Sequence, residues 1–387
     1  MIYLDNSATT KQHPQVTAEM VKYMEENFGN PSSLYQLGVD SEKAVKNARK
    51  QLSEAMGLTQ GKVYFTSGGT ESDNMAVFGA VRAMKRRGNR IVTTSVEHPA
   101  VLECCKLLEE RGFDVEYVGV DRNCRLDMEQ LEAAIDENTI LVTVMHVNNE
   151  AGTIMPVREI KSIMRRKNCQ GIFHCDAVQS FGKLELPDGA DLISVSGHKI
   201  HGPKGSGALY IRDRVNLPAF INGGGQEGGK RSGTENVPAI IGLGEAAALS
   251  QRNRGSDVKR MSKIRKYLME GLQSEIGDIV VNSPCEAGGK AGQCCASVLN
   301  ISFLGTRGEV LLHTLEQDGI YASTGSACSS NKKGDSHVLR AMGLTDKEIE
   351  GTLRFSFGCF NEKAEMDFVI DKVAAAVKRF RRLGSFR

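Results

Sequence analysis

The stretch DLISVSGHK, residues 191–199, starts as a short apolar strand and ends in serine, glycine, histidine and lysine. Six other segments have similar short β-branched runs. Amphipathic stretches lie between them, such as residues 71–86, whose apolar residues recur at helical spacing. The strand candidates are residues 62–66, 90–95, 114–118, 139–146, 171–175, 191–196 and 207–211. This alternation predicts an α/β fold, in which a mostly parallel seven-stranded sheet carries helices on both faces.

The pattern changes after about residue 250, where charged helices become longer and strands fewer. Two strands are predicted at residues 296–303 and 352–356, and a closing helix begins near Asn361. Its apolar stripe favours core packing and consists of Met366, Val369, Ile370, Val373, Val377 and Phe380. A chain of 387 residues is expected to form about two domains. We predict a large domain of residues 14–257 and a smaller α+β domain of residues 1–13 plus 258–387.

The composition is that of an ordinary globular protein. The 49 basic and 47 acidic residues give a net charge of +2, whereas a nucleic-acid-binding surface needs clustered basic residues in excess. No uncharged apolar run approaches the roughly 20 residues that span a bilayer. The start, MIYLD, resembles neither a signal peptide nor a transit peptide. We therefore expect a cytoplasmic protein that binds neither nucleic acid nor membrane.

Ten cysteines are present, but a reducing compartment disfavours a disulfide scaffold. The pairs Cys104-Cys105 and Cys294-Cys295 lack the spacer with which two thiolates grip one zinc ion, so no metal is expected. Free cysteine packs as a small apolar residue. We predict this role, or that of an incidental surface thiol, for Cys104, Cys105, Cys124, Cys169, Cys175, Cys285, Cys294 and Cys295.

Two strand ends offer candidate site residues, because ligands bind at the carboxyl ends of parallel strands. TSGGTES at residues 66–72 runs into a helix, whose free N–H groups can bind phosphate. An ordinary glycine turn capped by Thr70 or Ser72 is the alternative. Lys199 follows an apolar strand, where burial disfavours the charged amine and prepares it for Schiff-base formation. Ser196 and His198 could hold a phosphate beside it, although an isolated strand-end lysine often only extends to solvent.

A third strand, FHCD at residues 173–176, ends in Asp176. A buried carboxylate needs a cation or a metal. With a carbonyl-trapping lysine and a phosphate-binding turn nearby, the economical partner is the protonated pyridine nitrogen of pyridoxal 5'-phosphate (PLP). HVNNE at residues 146–150 can supply an amide to the ring oxygen or to a substrate carboxylate.

Taken together, these motifs resemble the group I PLP-dependent cysteine desulfurases of the class V aminotransferase-like family, which have the type I PLP fold. The resemblance covers essentially the whole chain. The segments that carry it are residues 3–10, 30–33, 66–72, 97–98, 148–150, 176–179, 196–199, 223–227, 231–236, 326–330 and 354–356.

The resemblance implies a set of PLP-binding residues. Lys199 forms the Schiff base and Asp176 binds the pyridinium nitrogen, while His98 stacks on the ring and Gln179 contacts its ring oxygen. Asn149 also lies at the cofactor. The residues that bind the phosphate are Gly69, Thr70, Ser196 and His198, with Thr234 from the neighbouring subunit of a homodimer. The glycine-rich residues 222–233 then form a loop at the subunit interface.

The resemblance also implies substrate and catalytic residues. Asn149 and Arg354 bind the carboxylate of L-cysteine, and Lys199 takes its Cα proton. Cys328 attacks the substrate sulfur, with His98 as proton carrier, and keeps it as a persulfide while alanine departs. An acceptor protein, such as an iron–sulfur scaffold or a sulfur carrier for tRNA or cofactor thiolation, then receives the sulfur. Two nearby lysines, Lys332 and Lys333, favour the thiolate of Cys328.

Two positions depart from the family pattern. Tyr35 stands where histidine is frequent, and residues 334–337 read Gly-Asp-Ser-His where Glu-Pro-Ser-His is common. Three alternatives remain open at this stage. They are a selenocysteine lyase or a class V aminotransferase on the same fold, and a non-enzymatic thiol-rich delivery protein.

Overall fold

The computed structural model describes residues 1–324 and 336–384. The strands are β1 Ile2–Tyr3, β2 Gly61–Thr66, β3 Arg90–Thr94, β4 Asp114–Val118, β5 Thr139–Thr143, β6 Ile172–Asp176, β7 Leu192–Ser196, β8 Gly207–Arg212, β9 Ile279–Val281, β10 Val298–Phe303, β11 Ile320–Tyr321 and β12 Thr352–Ser356. The helices are α1 Pro14–Glu25, α2 Gln36–Met56, α3 Gly69–Met84, α4 Pro99–Glu110, α5 Met128–Ala134, α6 Val157–Arg166, α7 Val237–Glu275, α8 Gly308–Gln317, α9 His337–Ala341, α10 Asp346–Glu350 and α11 Met366–Gly384.

The central sheet has seven strands in the order β2-β8-β7-β6-β5-β3-β4. Strand β8 alone in this sheet runs antiparallel to its neighbours β2 and β7, and the pairs formed by β3, β4, β5, β6 and β7 are parallel. One buried cluster includes Leu52 of α2 and Ile160 of α6, and another includes Met75 of α3 and Val101 of α4. The predicted α/β fold and mostly parallel seven-stranded sheet are confirmed.

A second sheet, β12-β10-β9, is antiparallel, and β1 pairs with β11 in a separate parallel ribbon. A further apolar cluster covers this sheet and includes the predicted α11 stripe, in which Phe380 is only partly buried. The stripe is therefore core packing, as predicted. The 39-residue helix α7 contributes Leu243 to the first cluster and Leu268 to this one. The predicted boundary at residues 257 and 258 falls inside α7 and stays a prediction.

Strand β5 ends at Thr143, three residues before the predicted end at His146. The chain nevertheless continues beside β6, because the N–H of Val144 donates to the carbonyl of His174 at 3.1 Å and that of His146 to Asp176 at 2.8 Å. Only the regular hydrogen-bond ladder between β5 and β6 ends at Thr143. This continuation brings residues 146–150 to the carboxyl edge of the sheet, where β6 and β7 also end.

The cysteines behave as predicted in the part of the chain that the structure describes. Seven of the eight predicted as packing or incidental thiols are buried, Cys285 is exposed, and all eight are free. Cys359 is also free and half-buried. Within residues 1–324 and 336–384, the helices include none that is long and apolar enough to cross a membrane.

Candidate active site

A cavity of about 170 Å³ opens at the carboxyl ends of β6 and β7. Ten of the twelve predicted site residues line it: Gly69, Thr70, His98, Asn149, Asp176, Gln179, Ser196, His198, Lys199 and Arg354. The fold thus brings together residues that lie up to 285 positions apart in sequence, from Gly69 to Arg354. The role of each residue remains a prediction.

At the start of α3, the absence of a side chain at Gly69 leaves space in the cavity wall for a ligand to approach the backbone closely. A Cβ atom at Gly69 would lie 2.8 Å from Cγ2 of Val178 and 3.5 Å from Cβ of Ser196, so a larger residue would fill the space between α3 and β7. The Ser196 hydroxyl oxygen is buried and has no hydrogen-bond partner in the described part of the chain. A helix N-terminus beside an unused hydroxyl is a fitting place for a phosphate.

Lys199 ends a short 3-10 turn, Gly197–Lys199, that directly follows β7. Its Nζ donates hydrogen bonds to the carbonyl oxygens of Ser7 and Ala8. The N–H of Thr10 donates to the carbonyl of His198 at 3.0 Å. The N-terminal segment is therefore fastened to the lysine turn and forms one side of the cavity.

Asp176 is the last residue of β6 and is buried. Its Oδ1 accepts a hydrogen bond from the N–H of Val178 at 2.9 Å. Burial raises the pKa of Asp176 to about 6, while the Val178 N–H and the charge of Lys199 oppose the rise. A cation that contacts this carboxylate would favour its charged form.

His98 caps the N-terminus of α4, where its Nδ1 accepts from the N–H of Ala100 at 3.2 Å. Burial lowers the pKa of His98 to about 4, and the positive charges of Lys199 and His337 lower it further. The imidazole is therefore neutral at neutral pH. Because Nδ1 accepts a hydrogen bond, the ring proton lies on Nε2.

Arg354 lies on β12 and is buried. One terminal nitrogen donates to the carbonyl of Asn149 at 3.0 Å, and the other to Oδ1 of Asp5 at 2.8 Å. Its Nε is buried and, among the described residues, has no acceptor. The guanidinium is thus held through both terminal nitrogens, and its Nε–H remains available to an anion.

The remaining side chains of the cavity offer further polar groups. Nε2 of Gln179 donates to the carbonyl of Ser7 at 3.0 Å, whereas its Oε1 is buried without a donor in the described residues. A hydrogen bond of 3.1 Å joins Nδ1 of His198 to the hydroxyl of Thr9. Burial, with Lys199 next in effect, lowers the pKa of His198 to about 4.

The cavity residues fit PLP. The start of α3 and Ser196 suit a phosphate, a buried carboxylate suits a pyridinium nitrogen, and an amine at the end of β7 suits an aldehyde. The unused Ser196 hydroxyl and Gln179 oxygen are the observations that carry this fit, since buried polar atoms normally have partners.

Two predicted site residues lie elsewhere. Thr234 is exposed and lines a separate cavity with Arg231 and Glu227, so within one chain it does not reach Lys199. Cys328 lies outside the described residues, as do Lys332 and Lys333.

Sequence reasoning also missed several residues at the site. Asp73 lines the cavity, Asp5 pairs with Arg354, and Glu97 is fully buried next to His98. Both Asp5 and Glu97 belong to segments singled out above, residues 3–10 and 97–98. A charged residue among small or apolar neighbours was the available signal, but spacing alone did not reveal its partner.

Comparisons with known proteins identify relatives that match nearly the whole chain. The model of the family described as aminotransferase class-V matches residues 2–369. A cysteine desulfurase of Trichormus azollae is 43% identical over 390 aligned positions, which cover 100% of this chain and 95% of that protein.

Solved structures are similar as well. A NifS-like protein superposes with a TM-score of 0.90 at 35% identity and covers 98% of this chain and 99% of its own. The protein SspA, solved in complex with cysteine, gives a TM-score of 0.79 at 32% identity over 92% of this chain and 99% of its own.

The chain belongs to the aminotransferase class-V family, and within that family to the cysteine desulfurase group. Its fold is that of the type I PLP-dependent enzymes, and PLP is its cofactor.

Proposed function

We propose that this protein converts L-cysteine to L-alanine and transfers the sulfur, as a persulfide on Cys328, to an acceptor protein. The observation that carries the proposal is the cavity that places Lys199, Asp176 and Arg354 around one space. An amine, a buried carboxylate and a guanidinium suit an amino acid bound to PLP. The protein SspA with bound cysteine supports an amino acid substrate of this kind.

When bound, PLP draws electrons away from the Cα atom of an amino acid and so makes its proton acidic. Lys199 would hold the cofactor and then take that proton on Nζ. The carbonyl oxygens of Ser7 and Ala8 lie within hydrogen-bond distance of this nitrogen, so they can orient it in its charged form. The Asp176 carboxylate would hold the ring nitrogen in its protonated state.

Arg354 would orient the substrate carboxylate through Nε, the donor for which the described residues provide no acceptor. Its other nitrogens are held by the Asn149 carbonyl and by Asp5. This fixed guanidinium loses little freedom on binding. The side chain of Asn149, which also lines the cavity, would complete the carboxylate site.

The sulfur transfer is a displacement at the substrate sulfur. The thiolate of Cys328 forms the S–S bond while the C–S bond breaks, and its electron pair remains on the carbon skeleton that becomes alanine. Neutral His98 carries its proton on Nε2, which makes that atom the hydrogen-bond donor toward the bound substrate. Proton delivery by His98 at this step is part of the proposal.

Cys328→Ala is the direct test. This variant should bind PLP and take up cysteine with the parent's absorption changes, yet release almost no sulfide. Cys285→Ala, which removes a free and exposed thiol elsewhere in the chain, is the matched control and should release sulfide as the parent does. Normal sulfide release by Cys328→Ala would remove Cys328 from the reaction.

The products distinguish the alternatives. Stoichiometric alanine and sulfide from L-cysteine indicate a desulfurase, and transfer of the amino group to a keto acid would indicate an aminotransferase. Turnover of selenocysteine but not cysteine would indicate a selenocysteine lyase. A colourless protein that cannot be reconstituted with PLP would leave only the thiol-rich delivery protein.

Three finer features belong to the same proposal. The chain acts as a cytoplasmic homodimer, and Thr234 enters the site of the neighbouring subunit. Its exposed position beside residues 222–233 supports this arrangement. The persulfide goes to an iron–sulfur scaffold or to a carrier for tRNA or cofactor thiolation. Incubation of the persulfide-labelled protein with its native lysate, followed by identification of the labelled acceptor, distinguishes these routes.

A further inference from the structure

A second buried carboxyl group, that of Asp73, lines the PLP cavity. Asp73 lies on α3, one turn after the glycine at its start, and is only 1% exposed. It shares the cavity with Asp176 and Lys199. The proposed mechanism gives Asp73 no role. The cavity nevertheless holds two carboxyl groups, those of Asp73 and Asp176, for the single protonated ring nitrogen of PLP.

The groups that face Asp73 leave its charge uncompensated. From β6, Nε2 of His174 lies 3.6 Å from Oδ1 of Asp73, and within the described residues no lysine or arginine nitrogen lies within 4 Å. Hydrogen bonds join His174 to the hydroxyl of Thr143 at 2.8 Å and to that of Ser194 at 2.9 Å. Burial lowers the pKa of His174 to about 3, so this imidazole is neutral.

The other titratable neighbours of Asp73 are acidic or weakly acidic. They are Asp176 and Cys175 at the end of β6, Glu97 before α4, and Cys104 on α4. Burial, and then the negative charge of Asp176, raise the pKa of Asp73 well above its usual range, and a hydrogen bond from Ser194 opposes the rise. Two buried carboxyl groups in one cavity disfavour each other's charge, and Asp176 is the better placed to be ionised because it accepts the Val178 N–H and faces the charge of Lys199.

The strand register shows where a neutral carboxyl group at Asp73 would act. Asp176 pairs with Ser194 across β6 and β7, and His174 lies two residues before Asp176 on the same face. Ser194 and His174 therefore form a polar layer next to Asp176, and Asp73 of α3 covers that layer. A neutral acid can donate a hydrogen bond there, which a carboxylate cannot.

We propose that Asp73 is a positioning residue that works as an uncharged carboxylic acid. It packs against the polar layer of Ser194 and His174, and it leaves Asp176 as the charged carboxylate that binds the cofactor. The proposal rests on the assignment of PLP to this cavity. It does not depend on the fate of the sulfur.

Two variants test the proposal through cofactor binding. Asp73→Asn keeps the shape and a neutral donor, so we expect PLP affinity within about twofold of the parent and an unchanged pH profile of the bound cofactor's absorption. Asp73→Ala removes the support, so we expect about tenfold weaker PLP binding and a shifted absorption profile. A shifted profile in Asp73→Asn, or parent-like binding in Asp73→Ala, would overturn the proposal.

Infrared spectroscopy tests the protonation state directly, and it keeps the question answerable if Asp73→Ala fails to fold. The parent minus Asp73→Asn difference spectrum should contain the carbonyl band of a protonated carboxylic acid at neutral pH. Glu97→Gln, which removes another buried acid, gives the control band. A carboxylate band in place of the acid band contradicts the proposal. Neither PLP binding nor the infrared spectrum requires sulfide release. A parent protein that releases no sulfide would therefore contradict the proposed function and not the role of Asp73.

Discussion

At the scale of single residues, the proposed reaction depends first on Lys199, in the turn after β7. Lys199→Ala should still fold, because the main-chain bond from the Thr10 N–H to the His198 carbonyl still fastens the N-terminal segment when the Nζ bonds to the carbonyls of Ser7 and Ala8 are lost. It should lose about 10²- to 10⁴-fold in sulfide release, the usual contribution of a positioned proton acceptor. Borohydride reduction followed by peptide mapping should find PLP on Lys199 in the parent and on no peptide of the variant.

The control for this prediction is Lys204→Ala. Lys204 is exposed and lies five residues after Lys199, so its loss should change neither the labelled residue nor the rate. Labelling of another lysine in the parent would refute the assignment of Lys199.

A buried acid next to His98 makes stability depend on pH. Oε1 of Glu97 accepts from the Thr94 hydroxyl and from the N–H of Met145, both at 2.8 Å. Burial raises the pKa of Glu97 to about 8. The unfolded chain releases this proton near its usual pKa of 4.5, while the folded chain retains it. The stability that the neutral acid provides is therefore complete below pH 4.5 and is lost as the pH rises to about 8.

Glu97→Gln does not titrate and should escape this loss. We expect the variant and the parent to unfold at similar urea concentrations at pH 5, and the variant to become the more stable by a few kcal/mol at pH 8, since one pKa unit corresponds to about 1.4 kcal/mol. Urea unfolding of the cofactor-free proteins between pH 5 and 9 measures the difference. Parallel stability curves would show that Glu97 is ionised in the folded state.

The sequence was sufficient for residues whose type matches the chemistry of PLP, such as Lys199 and Asp176 at strand ends. It was insufficient for Asp73 and Glu97, whose pKa values are raised because the fold buries both carboxyl groups. Asp5 is a similar case, since its pairing with Arg354 joins positions 349 residues apart. Burial and long-range pairing are properties of the folded chain, which a local motif does not contain.

At the scale of elements, the strands were predicted closely where β-branched runs are bounded by polar turns. Strand β4 and β12 have the predicted bounds, whereas β5 ends early although its chain still pairs with β6. Helix α3 starts at Gly69 rather than at residue 71. Glycine has a low helix propensity, so the apolar helical spacing did not predict a helix start at Gly69. Glycine is needed there because a Cβ atom would approach Val178 too closely.

The short helix α9 is tied to the active site at its first turn. The Ser336 hydroxyl donates to Oε2 of Glu150 at 2.5 Å and also accepts from the N–H of Leu339, as a helix cap. Ser336→Ala should lose the cap, worth about 1 kcal/mol, and should leave a buried acceptor unsatisfied, which costs about 1–3 kcal/mol more. Urea unfolding measures the summed loss in the free energy of unfolding, provided that this free energy falls with urea concentration at the same slope in the variant and the parent.

Thr345→Ala is the matched control for this element. Thr345 caps α10 in the same way, by accepting from the N–H of Glu348, and it has no bond to Glu150 among those of the described chain. The Thr345 hydroxyl also donates to Oε2 of Glu348, but this oxygen keeps the N–H of Thr345 as a donor in the variant. The loss of the hydroxyl should therefore cost only about 1 kcal/mol. Equal losses in the two variants would show that the bond between Ser336 and Glu150 adds nothing to stability.

At the scale of the whole molecule, the site depends on parts of the chain that are distant in sequence. The N-terminal segment contacts the lysine turn, and Asp5 joins it to β12. Arg354 in turn belongs to the antiparallel sheet, while Asp176 belongs to the central one. Helix α7 packs in the cores on both sides. Movement of one sheet relative to the other would therefore separate Arg354, proposed to bind the substrate carboxylate, from Asp176, proposed to bind the cofactor.

The proposed homodimer predicts that two defective subunits can restore one site. In a heterodimer of Lys199→Ala and Thr234→Val, one site combines an intact Lys199 with Thr234 of the Lys199→Ala subunit. Its activity should be about half that of the parent dimer at limiting PLP, if one of two equivalent sites is intact. The Lys199→Ala homodimer should retain at most about one hundredth of the parent activity, and the Thr234→Val homodimer should bind PLP about tenfold more weakly.

Differently tagged subunits, co-expressed and purified through both tags, supply this heterodimer for a sulfide-release assay. If Thr234 served the site of its own chain, each site of the heterodimer would carry one defect, and the activity would be the average of the two homodimers. Activity above this average therefore requires a hydroxyl that crosses the interface. This outcome would explain why Thr234 lies exposed, in a cavity separate from that of Lys199.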